Sequence, residues 1–228
     1  MSTCQTIFLF SLLAITTLHG VSAVEYVVVN RAESTPGGIK FNNKLGADYT
    51  KQVMETASNF IWNLFQQSNE ADRKNVPRVT LAVLDMGPDQ IAQTILNTFE
   101  IQVSDDYIDR SAGDNKWDFE GVLYHEMVHV WQWFGNAPTG LTEGIADFVR
   151  LRANYVPAHW VAPGGGTKWD QGYDVTARFL DYCDGLRNGF VAELNKKMRN
   201  GYNENYFVEL LNKSADQLWS EYKAKYAN

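Results

Sequence analysis

Cysteine is almost absent from this sequence, which contains only Cys4 and Cys183 in 228 residues. Cys4 lies in an amino-terminal stretch that we expect to be removed, and a single remaining thiol excludes an internal disulfide. Stability must then come from the hydrophobic core, a bound metal or a partner. Cys183 lies in an apolar pattern with Phe179 and Leu180, so we expect a buried, inert thiol rather than a reactive one.

Charged side chains are missing from the first 23 residues, which contain an apolar run at 7–15 and end in Val21-Ser22-Ala23. Small residues at this end are typical of a signal peptidase site, although the usual basic start is missing. A membrane anchor is the weaker alternative, because a membrane-spanning helix needs about 20 apolar residues. We therefore predict a signal peptide at 1–23 and a secreted chain that begins near Val24.

Basic residues are not in excess, and no later stretch is long and apolar enough to cross a membrane. The formal net charge of -7 belongs to the chain after residue 23, which argues against binding nucleic acid or anionic lipid through bulk electrostatics. We expect no nucleic-acid partner, and no membrane partner after cleavage. The pattern Asn212-Lys213-Ser214 is an acceptor for an N-glycan.

The first half of the secreted chain alternates between strand and helix patterns. Its hydrophobic periodicity predicts strands at 25–30, 79–85 and 99–107, a long amphipathic helix at 45–67 and a short helix at 89–98. Residues 39–41 are a candidate extension of the sheet. We expect the acidic run 105–110 to be a solvated edge, with calcium binding the weaker alternative because the spacing fits no loop template.

Two of the four histidines lie in Tyr124-His125-Glu126-Met127-Val128-His129-Val130. A helix capped by Asp118 or a neighbour and ending near Phe134 places His125 and His129 within about 40° of each other. Leu123, Met127, Val130 and Phe134 then cluster on the opposite side. Structural histidines are the common alternative, but this spacing in a sequence with so few histidines strongly indicates a zinc hydrolase.

A catalytic zinc takes three protein ligands and leaves a fourth position open. No third histidine follows His129 at the expected spacing, so we look for the third ligand in a second amphipathic helix at 140–155. Its polar face carries Glu143, the predicted third ligand, and Asp147, which can accept the free ring N-H of a ligating histidine. Solvated acids are the alternative. Gly144 is expected where this helix closely approaches the first one.

Four segments together resemble the plant basic secretory protein family: 125–129, Trp131-Gln132-Trp133, 143–147 and 169–183. The resemblance implies a zincin-like peptidase that is secreted, into the apoplast in a plant, and is often induced by pathogens. The segment beginning at Glu143 is also similar to the one that supplies the third ligand in glutamate-type zincins, and its spacing to Asp147 resembles thermolysin-like enzymes. The chain departs from the family's name, because its pI is about 5.1.

The roles that follow are those of a metal-assisted peptidase. Zn²⁺ polarises water and the scissile carbonyl, and Glu126 is the general base that later protonates the leaving amine. Tyr173 is our preferred donor to the oxyanion, with Tyr155 and His159 as alternatives, although a tyrosine is more often a core residue. The segment 161–167 is predicted to be the rim or lid of a cleft, and a simple connector is the alternative.

The remaining chain reads as helices at 175–185, 190–198, 206–211 and 215–226. We therefore predict an α+β, zincin-like domain at 24–228, with a small mixed sheet and helices at 24–135 and a mainly helical lobe at 136–228. The predicted function is a zinc-dependent peptidase acting on peptides or proteins in plant defence. The alternatives are a defence-related binding protein with little or no turnover on the same scaffold, and a purely structural zinc with four protein ligands.

Overall fold

The computed structural model describes residues 24–111 and 116–227. The predicted signal peptide lies outside these residues. Within them no helix is long and apolar enough to cross a membrane. The predicted α+β class is confirmed, because a small mixed sheet is combined with many helices.

A four-stranded sheet forms from the amino-terminal part of the chain. Its strands are β1 (Glu25–Asn30), β2 (Arg78–Leu84), β3 (Ala92–Ile95) and β4 (Glu100–Ser104), in the spatial order β1-β2-β4-β3. The first three in this order run parallel, and β3 pairs antiparallel with β4 at the edge. The inner strand β2 is apolar on both faces, with Val79, Leu81, Ala82 and Val83 fully buried, as expected for a strand covered from both sides.

Helices cover this sheet and make up the rest of the fold. They are α1 (Pro36–Lys44), α2 (Gly46–Leu64), α3 (Asp105–Arg110), α4 (Lys116–Trp131), α5 (Thr139–Arg152), α6 (Tyr173–Leu186), α7 (Phe190–Met198), α8 (Tyr206–Leu211) and α9 (Ala215–Tyr226). The predicted long helix and the last four helices are confirmed within a few residues. One cluster of buried apolar side chains extends from the sheet to α9. The predicted boundary between two lobes at residue 135 stays a prediction.

Three predictions about the amino-terminal elements are wrong. Residues 39–41 belong to α1, which begins at Pro36 because the Thr35 side chain accepts the Gly38 N-H and caps the helix. The predicted helix at 89–98 is the edge strand β3. The third predicted strand stops at Ser104, whose hydroxyl accepts the Tyr107 N-H and starts α3, so the acidic run is a short helix.

The helix α4 differs from its prediction at both ends. Asp118 lies in its first turn and accepts from Tyr107 Oη at 2.7 Å. The helix stops at Trp131, because Gly135 and Asn136 have positive φ angles of 56° and 60° and turn the chain away. Its residues from 121 to 131 are all buried. The helix is covered by α2, β3 and α5, and its two histidines lie on the side that lines a cleft, as the predicted division into a core face and a histidine face requires.

Candidate metal centre and catalytic cleft

The two motif histidines lie one turn apart on α4, which is held in the core. His125 and His129 are each 8% exposed, so their rings are fixed by packing. The ring planes are nearly perpendicular, at 83°, and the two Nε2 atoms lie 3.2 Å apart. Two ring nitrogens at this distance can share one proton, or both can face a single cation with their lone pairs.

The helix α5 brings Glu143 to the same point. Its Oε2 atom lies 3.1 Å from His125 Nε2 and 3.5 Å from His129 Nε2. His125, His129 and Glu143 thus form a group of three ligand atoms that could hold a metal ion. This is the set that the sequence predicted, drawn from two helices that are separated by the 132–138 turn.

The protonation states of His125 and Glu143 depend on each other. Burial lowers the pKa of His125, but its hydrogen bonds to Asp147 and Glu143 outweigh burial and raise that pKa to about 10. Burial raises the pKa of Glu143, and the hydrogen bonds from His125 and His129 instead bring it well below its usual range. The carboxylate is therefore ionised, and the histidine pair sits in a field that attracts positive charge.

Asp147 lies behind His125, as predicted. Its Oδ1 atom is 2.7 Å from His125 Nδ1, and its side chain is almost completely buried. A carboxylate at this distance accepts the Nδ1-H, so that Nε2 is the nitrogen that can exchange its proton for a metal.

Gln132 contacts the corresponding nitrogen of His129, a role that the sequence did not indicate. Its amide nitrogen lies 2.7 Å from His129 Nδ1 and donates to the Thr142 carbonyl oxygen at 3.3 Å, while its Oε1 is buried without a hydrogen-bond partner. A 180° rotation of the amide would place Oε1 where it can accept Nδ1-H, at the cost of the hydrogen bond to Thr142. The sequence feature that could have indicated a contact between Gln132 and His129 is their spacing, because residues three apart lie on the same side of a helix.

Glu126 faces β3 beside the group. Thr94 Oγ1 lies 2.6 Å from Glu126 Oε2 and 3.1 Å from the Glu126 carbonyl oxygen. Glu126 is only 6% exposed. Thr94 was not predicted to be a functional residue, because its segment was predicted to be helical. The pairing of β3 with β4 turns the Thr94 hydroxyl towards α4.

The three candidate oxyanion donors separate in space. Tyr173 is 58% exposed and its ring is stacked on His125, with centroids 6.0 Å apart. Burial of part of the ring, with the charges of Glu143, Asp147 and Glu126, raises the pKa of Tyr173. His159 lines the same cleft. Tyr155 lies outside it, because its hydroxyl donates to Glu120 Oε2 at 2.6 Å.

A cleft of about 640 Å³ opens over these residues. One wall is the segment 89–96, which includes β3, and the opposite wall includes Trp160 and Tyr173. The segment 161–167, predicted as a rim or lid, does not line the cleft. It packs on α9, where the Gly164 N-H donates to Tyr222 Oη and Lys223 donates to the carbonyls of Gly164 and Gly166.

Gly144 has a different neighbour from the one predicted. A Cβ atom there would lie 2.2 Å from Thr176 Cγ2 of α6. The close approach is therefore between α5 and α6, rather than between α5 and α4. Cys183 is buried in α6 as predicted, and burial raises the pKa of its thiol, so the inert role agrees with its surroundings.

Comparison with known proteins identifies the family of the chain. A family model described as "Peptidase of plants and bacteria" matches residues 21–222. A basic secretory protease of Boswellia serrata is 52% identical over 59 residues, which are 26% of this chain and 67% of that protein. No solved structure matches this chain. The matched range contains both helices that carry the three ligand atoms, and the chain therefore belongs to the basic secretory protein family, the peptidases of plants and bacteria.

Proposed function

We propose that the protein is a secreted, zinc-dependent peptidase. The observation that carries this proposal is the triangle of His125 Nε2, His129 Nε2 and Glu143 Oε2, with sides of 3.1, 3.2 and 3.5 Å. Ligand atoms at about 2.0–2.1 Å from a tetrahedral zinc are about 3.3–3.4 Å from one another. Two imidazoles and one carboxylate are also a donor set that catalytic zinc uses.

Bound Zn²⁺ would supply a Lewis acid that acidifies water and polarises the scissile carbonyl. The chain's own residues prepare this site. Asp147 keeps the proton of His125 on Nδ1, and Gln132 can do the same for His129. Zinc binding would displace a proton from Nε2 of His125, whose pKa is raised to about 10, and Glu143 contributes a negative charge that offsets part of the charge of the ion.

Glu126 is the group that moves protons. Its buried carboxylate takes a proton from the attacking water and transfers it to the leaving amine. The Thr94 hydroxyl contacts Oε2, which leaves Oε1 as the oxygen for this exchange. Tyr173 is our proposed oxyanion donor, because its raised pKa keeps the phenol protonated at neutral pH and its ring lies over His125.

The substrate is a peptide or protein segment that enters the cleft. Ile91 precedes β3 and Leu96 follows it, and both side chains line the cleft and are 49% and 44% exposed. They offer an apolar surface that apolar side chains of a substrate can contact. Secretion into the apoplast and a role in plant defence complete the proposal. Secretion is supported by the predicted signal peptide and by the relative's description as secretory, and the defence role is what the family resemblance of the sequence implies. Asn212 is exposed between α8 and α9 and is open to an N-glycan.

The experiment compares cleavage of a peptide library by the chain 24–228, by Glu126→Gln and by Glu120→Gln. Glu120 lies on the same helix but outside the cleft, and it is the matched control. We expect Glu126→Gln to retain zinc and to lose about 10²–10⁴-fold in kcat, while Glu120→Gln keeps its activity. Chelation abolishes cleavage and added zinc restores it.

The same assay separates the alternatives. A zinc-loaded protein that cleaves no peptide would instead be a binding protein on this scaffold. If chelation unfolds the chain, as circular dichroism would show, the zinc is structural.

A further inference from the structure

Three aspartates meet at one edge of the sheet. Asp85 follows Leu84, the last residue of β2, and Asp105 follows Ser104, the last residue of β4. Leu84 and Ser104 are partners in a parallel pair, so the two strands deliver their next residues to the same place. Together with Asp106, each residue offers a carboxylate oxygen, and these oxygens all lie within 4.8 Å of one another.

Asp105 is the unusual member of this cluster. It is only 5% exposed, and its Oδ1 atom is buried without a hydrogen-bond partner. The helix α1 closes over it, since a Cβ atom on Gly37 would lie 1.9 Å from the Asp105 carbonyl oxygen. A buried carboxylate oxygen without a donor is rare in folded proteins and costly, unless a cation compensates it.

The nearby cationic side chains are directed elsewhere. Arg110 donates to the Pro88 carbonyl oxygen, and Lys40 donates to the carbonyl oxygens of Asp109 and Ser111. Among the described residues, no lysine or arginine forms an ion pair with any of the three aspartates. The three carboxylates therefore face one another without a protein cation between them.

We propose that this cluster binds a hard divalent cation, and that the cation is Ca²⁺. All its donors are oxygens, which suit calcium or magnesium and not the softer metals. Calcium fits better than magnesium because it accepts irregular sets of carboxylates and waters, whereas magnesium demands a near-ideal octahedron. One oxygen of the set is already constrained, since Asp85 Oδ1 accepts the Gly87 N-H at 2.9 Å.

The cation would fix the segment that forms one wall of the cleft. Asp85 begins the connection from β2 to β3, and residues 89–91 of this connection line the cleft together with residues 92–94 of β3. The end of the connection is tied to the same edge, because the Ser104 N-H donates to the Ile91 carbonyl oxygen at 2.9 Å. Calcium at Asp85, Asp105 and Asp106 would therefore stabilise this wall. The proposal does not depend on the peptidase function.

The test uses the zinc-saturated chain 24–228 after removal of calcium. Calcium is titrated by calorimetry, and thermal unfolding is followed with and without it. We expect one equivalent to bind and the Tm to rise by about 5 °C at a concentration about 100 times the Kd. The partly exposed Asp106→Asn should weaken binding at least about tenfold and leave the fold intact. Asp109→Asn, an exposed acid on the same helix, should bind calcium like the unchanged chain.

The variant Asp105→Asn distinguishes a buried calcium ligand from a solvated acid. Without calcium it should raise the Tm, because a buried negative charge beside two others is removed, and calcium should no longer shift the Tm. The proposal is overturned if the unchanged chain shows neither heat nor a Tm shift at about 10 mM calcium, above the range of weak extracellular sites. It is equally overturned if Asp105→Asn and Asp106→Asn bind as tightly as Asp109→Asn.

Discussion

The Glu126 carboxylate is held by one neutral donor, the Thr94 hydroxyl, at 2.6 Å. A neutral hydroxyl fixes the orientation of the carboxylate without taking its negative charge, so the other oxygen remains able to accept a proton. In the proposed mechanism, the general base Glu126 is thus positioned by strand β3, whereas the proposed metal ligands lie on helices α4 and α5. A positioning residue of this kind affects the chemical step more than the binding of substrate.

Thr94→Val tests this role, because valine has nearly the same shape and lacks the hydroxyl. We expect kcat to fall about 10–100-fold with little change in KM, since the general base contributes about 10²–10⁴-fold in total and is only misoriented. Thr94→Ser, which keeps the hydroxyl, should recover most of the rate. An equal loss in both variants would show that Thr94 is needed for packing alone. Steady-state kinetics on one peptide substrate distinguishes the two results.

In the proposed zinc site, Asp147 would act on the metal through His125. Because its Oδ1 lies 2.7 Å from Nδ1, Asp147→Asn removes the charge and weakens the hydrogen bond that selects the metal-binding form of the ring. We expect zinc affinity to fall about 10–100-fold, measured by competition with a chromophoric chelator. Asp181→Asn is the control, since Asp181 is an exposed acid on α6 that pairs with Arg152. Unchanged zinc affinity in Asp147→Asn would contradict the assignment.

Among the elements, α5 is the one that joins the site to the helical part. It carries Glu143 and Asp147 towards α4, and between them Gly144 faces α6. The contact is close because Thr176 sits directly opposite. Its hydroxyl is fixed by the Gly172 N-H and by the Trp169 carbonyl oxygen, at 2.8 and 2.7 Å. The threonine therefore cannot turn aside to make room.

Gly144→Ala should destabilise the protein by about 1–2 kcal/mol, because overpacking costs about 1–3 kcal/mol and the preference of a helix for alanine recovers at most about 1. Gly185→Ala is a matched control in α6, where an added Cβ meets nothing within 4 Å. It should stabilise the protein by up to about 1 kcal/mol. Urea unfolding of both variants gives the difference. A stabilised Gly144→Ala would mean that α5 and α6 can separate at little cost.

Helical elements were predictable where their stability comes from one apolar face. The periodic positions of α2 and of the four last helices are visible in the sequence, and so is the spacing of His125, His129, Glu143 and Asp147. Strands β1 and β2 were also predictable, because their apolar runs are visible in the sequence, but elements without such a run were not. The edge strand β3 exists because β4 pairs with it, and Asp85 meets Asp105 only through the register of β2 with β4. The role of Thr94 therefore could not be predicted from the sequence.

Across the whole molecule, stability comes from packing. Cys183 is a free, buried thiol, and one apolar cluster runs from the sheet to the last helix. Buried ionisable groups then set how this stability depends on pH. Lys74 is the clearest case, because burial alone lowers its pKa from 10.5 to about 8, while the rings of Trp133 and Phe134, 5.6 and 4.9 Å from Nζ, partly compensate its charge.

Lys74→Met should stabilise the protein at pH 7 by about 1–2 kcal/mol, which is the cost of the buried charge less the cation-π attraction that is lost. The sign depends on pH. Below pH 8 Lys74 is charged in both states, so its cost is fully present. Between about 8 and 10.5 the folded state releases its proton first, and the stability of the unchanged protein rises relative to the variant. The advantage of Lys74→Met should therefore disappear above pH 10.5. Urea unfolding at pH 7 and above pH 10.5 measures it, with the exposed Lys51→Met on α2 as the control, and an equal gain at both pH values would contradict the assignment to the buried charge.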